Sequence, residues 1–544
     1  MEHAPARAEG RARDLGILLL PPMGYEDTCA YRPLRVLADL LAEAGHVVLR
    51  LDWPSLGDSA LGALDPDLMA VWSDVVRTAA RSLRDRGLAR VAGLGVRAGA
   101  LVALASGDLD ELILWGLPTG GGRGYVREER AFHRMAAKVF GEKPADAPAL
   151  PPGAVEAGGF LLSESTVKAF EALDPLVLAP AGRWARVLLL ERDGTMPSPP
   201  LVEALRATGA RVTVDPAPGL GVLLEDSYQS ELRPEAARAI RAWCGAGASE
   251  GPVAPPSGAP HLRLEGDVEE RPWVLQGARG ALTGILSFPA GGALPGAAWT
   301  LFLNAGGIRR SGPNRLWTHG ARRLAREGRP ALRMDVRDVG DSDGVNVPHG
   351  NLEEMYSEAS VQDVVAAYDW LLAQGAGAVD VVGLCSGSFL GIQLAARRQV
   401  RRALLFNGLA YIWNDEARAE GMTGHIGASL LNGRRWRRLL TGRIDARALA
   451  RAVVTKAWLS LRGIARRALG RGGVDEVAEL FAHVARRGTR IQLVSSEGDP
   501  SLPYLEGHLP PGDRPPLAVL PGVDHTIRPV WAHAAVVRMM LEAP

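Results

Sequence analysis

The stretch "VDVVGLCSGSFLG", Val379 to Gly391, decides how the rest of the chain is read. Val379 to Leu384 is a short β-branched and aliphatic run of the kind that forms a buried strand, and the residues after Cys385 read as a helix. Gly383 and Gly387 bracket Cys385 where one pattern gives way to the other. A strand that turns sharply into a helix brings backbone against backbone, and glycine is the residue that permits this. A residue at the centre of such a turn stands at the start of the helix, at the positive end of its dipole. That position lowers a thiol pKa and favours an oxyanion.

Taken alone, G-x-C-x-G is a weak pattern, and a lone buried cysteine is most often a small hydrophobe. Context carries the reading further, because the same rhythm occurs twice. "LGILLLPPMGY", a helix from Leu34 to Gly45 and "HVVLRLDWPSLGDS" are followed by "VAGLGVRAGALVAL". In the second half "WTLFLNAGGI", a helix from Leu316 to Gly328 and "PALRMDVRDVGDS" precede "VDVVGLCSGSFLGIQL". Asp52 to Ser59 pairs with Asp335 to Ser342, and both loops lead into amphipathic helices. Their apolar faces are Leu68, Trp72, Val75, Ala79 and Leu83, and Val361, Val364, Tyr368 and Leu371. Strands alternating with helices imply parallel α/β sheets with right-handed crossovers.

The expected organisation is a disordered polar tail (1–14), a first α/β domain (15–244) and a Gly/Ala/Pro linker (245–262). A second α/β domain (263–544) follows, with an extra leading segment near Trp273 to Pro289 and a helical cap at about 412–488. At 544 residues, two domains are the natural expectation. A net charge of +1 gives no global field for nucleic acid or membrane. Cys29, Cys244 and Cys385 show no paired spacing, which argues against a disulfide framework or zinc site and for a reducing, cytoplasmic setting. Met1 to Asp14 lacks the apolar core of a signal peptide, and no run reaches the length of a spanning helix. No phosphate loop, flavin or metal motif is visible, so no cofactor is expected.

D-x-R-x-x-G-x-S at Asp335–Ser342, the glycine elbow and the late "PGVDHT" together resemble the α/β-hydrolase superfamily, in its serine-aminopeptidase-like branch. A cysteine at the elbow resembles dienelactone-hydrolase-type enzymes. "NAGGIRRSGPNRLW" resembles bacterial hydrolases that accompany exopolysaccharide or specialised-metabolite gene sets. The resemblance implies Cys385 as nucleophile, His525 as base and Asp499 as the acid that orients it, in the family's chain order. It implies an oxyanion hole from the backbone N–H of Ser386 and of Gly306. His525 as a structural histidine and Asp499 as a turn residue before Pro500 stay open, with Glu497, Asp524 and a residue near Asn407 as fallback acids.

In the first half, arginine stands at the elbow (Gly95-Val96-Arg97-Ala98-Gly99), Val222 stands where the second half has His525, and Thr195 aligns with Asp499 if Gly194 matches Gly498, with Asp193 two residues away. Arginine stays protonated, so that half is read as catalytically dead. Arg97 is read either as drift after duplication, its guanidinium reaching solvent or a nearby carboxylate, or as an anion-binding site. Arg434 to Arg471 holds twelve Lys or Arg residues against one acid, Asp445. This basic cap reads as a solvated face, as a dock for an acyl carrier protein or a CoA ester, or as a lipid-facing surface. A thioester intermediate exchanges readily with activated acyl groups, so the expected reaction is acyl transfer or thioester hydrolysis on a small-molecule acyl ester or thioester. A plain carboxylesterase or lactonase and a non-catalytic binding or scaffold protein are the rival readings. Oligomeric state and acyl chain are not legible.

Overall fold

A computed structural model of the chain describes residues 1–4, 11–65, 68–140, 148–192, 194–256, 261–264, 266–277, 280–344, 352–414, 475–512 and 514–542. Residues 415–474 of the expected cap, 412–488, lie outside the described residues, while a helix at its end, Glu476–Arg486, is described. The chain divides into two compact units. One is Met1–Ala293 with Gly307–Gly350 and Gly522–Glu542; the other is Leu294–Gly306 with Asn351–Pro521 and Ala543–Pro544.

The first unit holds a seven-stranded sheet made of β1 (Glu2–His3), β2 (Leu15–Leu20), β3 (Val48–Arg50), β4 (Arg90–Val96), β5 (Glu111–Trp115), β6 (Arg186–Leu190) and β7 (Arg211–Asp215). Their order is β1-β3-β2-β4-β5-β6-β7, parallel except for β1. Helices α1 (Tyr25–Glu43), α2 (Leu68–Asp85), α3 (Ala98–Ala105) and α4 (Gly121–Phe140) accompany it. All of β2 is buried, because each face of the sheet has its own core. Leu18 and Leu20 join Trp53, Trp72 and Leu101 on one side, while Ile17 and Leu19 join Leu34, Leu37 and Ile240 on the other. The strand period of two makes this division, and it explains why "LGILLL" reads as one unbroken apolar run.

Three expectations shift. The helix expected from Leu34 starts at Tyr25 and runs through Pro33, with Glu26 and Asp27 in the first turn where the helix dipole favours acids. Val76, rather than Val75, joins the buried face of α2. The first fourteen residues are not a loose tail in the parts described. Glu2–His3 pairs with Val48–Leu49, and Arg11–Arg13 pairs with Glu250–Pro252 inside the supposed linker.

From Leu262 onward the strands among the described residues are β8 (Leu262–Leu264), β9 (Val268–Gly277), β10 (Gly280–Pro289), β11 (Ala298–Phe302), β12 (Ala331–Asp335), β13 (Ala378–Leu384), β14 (Arg402–Phe406), β15 (Arg490–Ser496) and β16 (Leu517–Leu520). The first unit contains β8, β9, β10 and β12 in antiparallel succession, the long β9–β10 hairpin being the extra leading segment. In the second unit β11, β13, β14, β15 and β16 are all parallel. Helices α5 (Leu316–Arg326), α6 (Glu358–Ala373) and α7 (Ser386–Arg397) belong to this half of the chain. The protein is thus a mixed α/β chain with mostly parallel sheets flanked by helices.

Residues 307–350 belong with the first half of the chain because of a buried lattice of arginine and aspartate. The two loops matched in the sequence meet there reciprocally. Arg50, two residues before Asp52, pairs with Asp341, and Arg333, two residues before Asp335, pairs with Asp58. Arg32 donates to the carbonyls of Gly340 and Ser342, while Arg315 donates to those of Ser55, Gly57 and Ser59. Arg310 ties Asp58, Asp335 and Asp341 together at 2.7–2.8 Å, and Arg309 joins Asp27 to Asp52 while lying 3.8 Å over the Tyr31 ring. Burial works against the charge on Asp341, but Arg50 and Arg310 outweigh it and hold its carboxyl well below the usual range. Asp58 is lowered in the same way by Arg310 and Arg333. Burial pulls Arg315, which meets carbonyls rather than a carboxylate, down to about 9.

Removing one member of a buried pair strands its partner, at about 3–5 kcal/mol. Asp58→Asn and Asp341→Asn are therefore expected to destabilise the protein by comparable amounts in that range, read by urea denaturation. Both carboxyls have lowered folded values, so their stabilisation is full above about pH 4 and drains away below it. The acid limb of the wild-type stability curve should flatten in both variants.

Candidate active site

β13 ends at Leu384, and α7 begins at Ser386. Between them Cys385 adopts φ 57° and ψ −117°, a conformation that L residues seldom hold. Its N–H donates to Phe406 O at 3.0 Å, and Ser388 Oγ donates to Phe406 O at 2.7 Å and Gly383 O at 3.1 Å, so the turn is clamped to β14. The two glycines are steric necessities: a Cβ on Gly383 would lie 2.2 Å from Gly387 O, and one on Gly387 would lie 2.6 Å from Asn304 O. Cys385 is part-exposed, whereas Cys29 and Cys244 are buried. Burial raises both of those thiols, Cys244 to about 12, so they are poor nucleophiles.

The second unit brings Gly306 to Ser386, though not as an open pair of oxyanion donors. The Gly306 N–H already donates to Ser386 Oγ at 2.9 Å. Gly306 sits at φ +56°, which suits glycine in the turn after β11. Asp499, in the same unit, is buried just beyond β15, its N–H donating to Ser496 O at 3.1 Å and its carboxylate accepting from Ser501 N–H at 2.9 Å. Among the fallback acids, Glu497 is exposed. The Asn407 amide clasps Ser496, donating to its Oγ at 2.9 Å and accepting from its N–H at 2.7 Å. His525 lies in the segment Gly522–Glu542 of the first unit. It follows Asp524, whose carboxylate is taken up by Thr526 and Arg528.

One neighbour of Cys385 has no counterpart in the sequence reading. Tyr356, in the turn just before α6, brings its hydroxyl 3.9 Å from Cys385 Sγ. Nothing in the G-x-C-x-G frame points to it, since the contact is made across 29 residues.

Arg97 has φ 56° and ψ −116°, the conformation of Cys385 to within a degree, between β4 and α3. Its guanidinium is buried and donates from Nε to Glu26 at 2.9 Å and from Nη2 to Glu128 at 2.5 Å. Glu128 also receives Arg192 at 2.8 Å. Two carboxylates thus occupy the arginine, which leaves no positive charge waiting for an anion. Burial, and then the charge of Glu26, push the adjacent Glu129 up to about 8.

No protein-family model and no curated protein matches this sequence. Among solved structures, similarity is found to a serine hydrolase homologue from Coxiella burnetii (12% identity, 50% of this chain and 95% of that one, TM-score 0.32). It is found also to a dienelactone hydrolase from Anabaena variabilis (16%, 50% and 95%, 0.33). A cold-adapted esterase from an Arctic intertidal metagenomic library gives 18%, 52% and 95%, and 0.32. Among the described residues no helix is long and apolar enough to cross a membrane, and no His, Cys, Asp and Glu cluster has the geometry to hold a metal ion.

A residue held at positive φ stores about 1–3 kcal/mol of strain, of which glycine relieves most while adding some unfolded-state entropy. Cys385→Gly is expected to raise stability by about 1 kcal/mol, measured by the urea midpoint at unchanged m-value. Arg97→Met, which strands Glu26 and leaves Glu128 to Arg192 alone, is expected to lower it by about 3 kcal/mol.

Proposed function

We propose that the chain is an α/β-hydrolase-like enzyme that forms an acyl-Cys385 intermediate from an activated ester or thioester and passes the acyl group to an acceptor or to water. The observation that carries this reading is the part-exposed thiol at a strained strand-to-helix turn, above the N-terminus of a twelve-residue helix. A backbone under strain persists only where the surroundings over-determine it, and such positions cluster at reactive centres. Exposure and the helix dipole both separate Cys385 from the two buried thiols.

In this reading the thiol proton passes to His525, and Sγ bonds to the acyl carbonyl carbon. The carbonyl oxygen takes up the negative charge and meets the Ser386 N–H at the helix start. The leaving alcohol or thiol departs with the proton returned by His525, leaving a thioester on the enzyme. Asp499 orients His525, which the chain order Cys385, Asp499, His525 supports. Water, an alcohol or an amine then completes the cycle, and a thioester favours the amine.

The first half serves as scaffold. Its elbow has the backbone of a nucleophile turn, but Arg97 cannot attack a carbonyl, and its charge is spent on Glu26 and Glu128. We infer that the two halves are tandem copies of one plan; the matching elbow conformations and the reciprocal Arg50–Asp341 and Arg333–Asp58 pairs support this.

The test is intact-protein mass spectrometry after incubation with a panel of acyl thioesters and activated aryl esters. Wild type is expected to gain one acyl group, Cys385→Ala none, and His525→Ala to acylate about 10²–10⁴-fold more slowly. Absence of an adduct with every donor overturns the enzymatic reading.

A further inference from the structure

Tyr356 follows the short helix Leu352–Met355 and is followed by Ser357, the N-cap of α6, whose Oγ accepts from Ser360 N–H at 3.1 Å. Both flanking segments are helical, so the backbone at Tyr356 has little freedom. The ring has little more. It stacks on Trp413 with centroids 4.3 Å apart and planes 7° from parallel, and it meets Phe389 edge-on at 5.2 Å. Phe389 lies one turn along α7 from Cys385, so the helix that presents the cysteine also wedges the tyrosine. Aromatic partners on two sides fix the plane of the phenol, and the hydroxyl that emerges from it comes within 3.9 Å of Sγ. That is long for a bond to a neutral thiol, which accepts weakly; hydrogen bonds at catalytic groups commonly tighten only when charge develops.

The phenol is suited to donate a hydrogen bond while keeping its proton. Burial, and then the neighbouring Cys385, raise the Tyr356 pKa well above its usual value. Among the described residues, the phenols Tyr504 and Tyr411 also act on it in the same direction. Meanwhile the Gly306 N–H, expected as a backbone donor beside Cys385, is taken by Ser386 Oγ.

We propose that Tyr356 is a catalytic hydrogen-bond donor to Cys385, its O–H held on Sγ to favour the thiolate over the thiol. This rests on the reading of Cys385 as the nucleophile. When the S–H bond breaks, the proton goes to the base and Tyr356 retains its own. When the acyl-enzyme breaks down, Sγ is again the leaving thiolate and the same O–H receives it. Tyr356 thus eases both acylation and deacylation without entering either proton transfer.

The experiment is the pH dependence of iodoacetamide alkylation at Cys385, followed by intact mass on the full chain. Tyr356→Phe preserves the ring stack and removes only the donor. The expected result is a midpoint about one unit higher than wild type and alkylation about tenfold slower below it, with the high-pH plateau kept. An unchanged midpoint overturns the proposal, since a purely structural ring would leave it unmoved. As a second measurement on the native scaffold, replacing tyrosine throughout with the more acidic 3-fluorotyrosine should lower the wild-type midpoint and leave that of Tyr356→Phe alone. A wild-type midpoint that does not fall also overturns the proposal. The two readings fail separately: a thiol that alkylates with the Tyr356-dependent midpoint but never accepts an acyl group sinks the enzymatic function and leaves the donor contact standing.

Discussion

The constraint on which the first unit depends is the obligation to neutralise charge buried between two loops of the same design. Each loop brings an aspartate, Asp58 or Asp341, that its own segment does not neutralise alone. The arginine that completes it, Arg333 or Arg50, comes from the strand that leads into the other loop. Arg310 then bridges both, and Arg309 fastens the start of α1 to Asp52. Desolvating these groups costs more than any one pair returns, so the arrangement holds only when all partners are present. Residues 307–350 are consequently bound to the first half of the chain, and the compact units do not follow the halves read along the sequence.

A second constraint acts at the elbows, and it concerns backbone rather than chemistry. Cys385 and Arg97 share one conformation although their side chains have nothing in common. Glycines whose added Cβ would collide with neighbouring carbonyls enforce it: Gly387 against Asn304 O, and Gly99 against Leu20 O. The turn therefore outlives the reactivity of the residue it displays. In the first unit two glutamates tie that residue down. In the second unit it remains part-exposed, with Tyr356 at its sulfur.

How much could be read in advance depended on how local each signal was. The strands of the parallel sheets were legible because a strand buried on both faces must be apolar throughout, as in Leu15–Leu20. The elbow was legible because its glycines lie within two residues of Cys385. The start of α1 at Tyr25 was hidden by Pro33, whose usual meaning is a helix boundary. The strand at Arg11–Arg13 was hidden by a polar composition that resembles a tail, and only its pairing with Glu250–Pro252 orders it.

The sequence by itself determined the α/β class, the two elbows, and the cysteine that sets the second apart from the first, because each of these is encoded in residues close together along the chain. Tertiary structure alone decided what those residues meet. It gave the Gly306 N–H to Ser386, Arg97 to Glu26 and Glu128, and the Cys385 sulfur to Tyr356. Partners such as Arg333 and Asp58 lie 275 residues apart, and no local pattern carries that information. The physical reason is that burial sets the cost of a charge or an unpaired donor, and burial is a property of the folded chain.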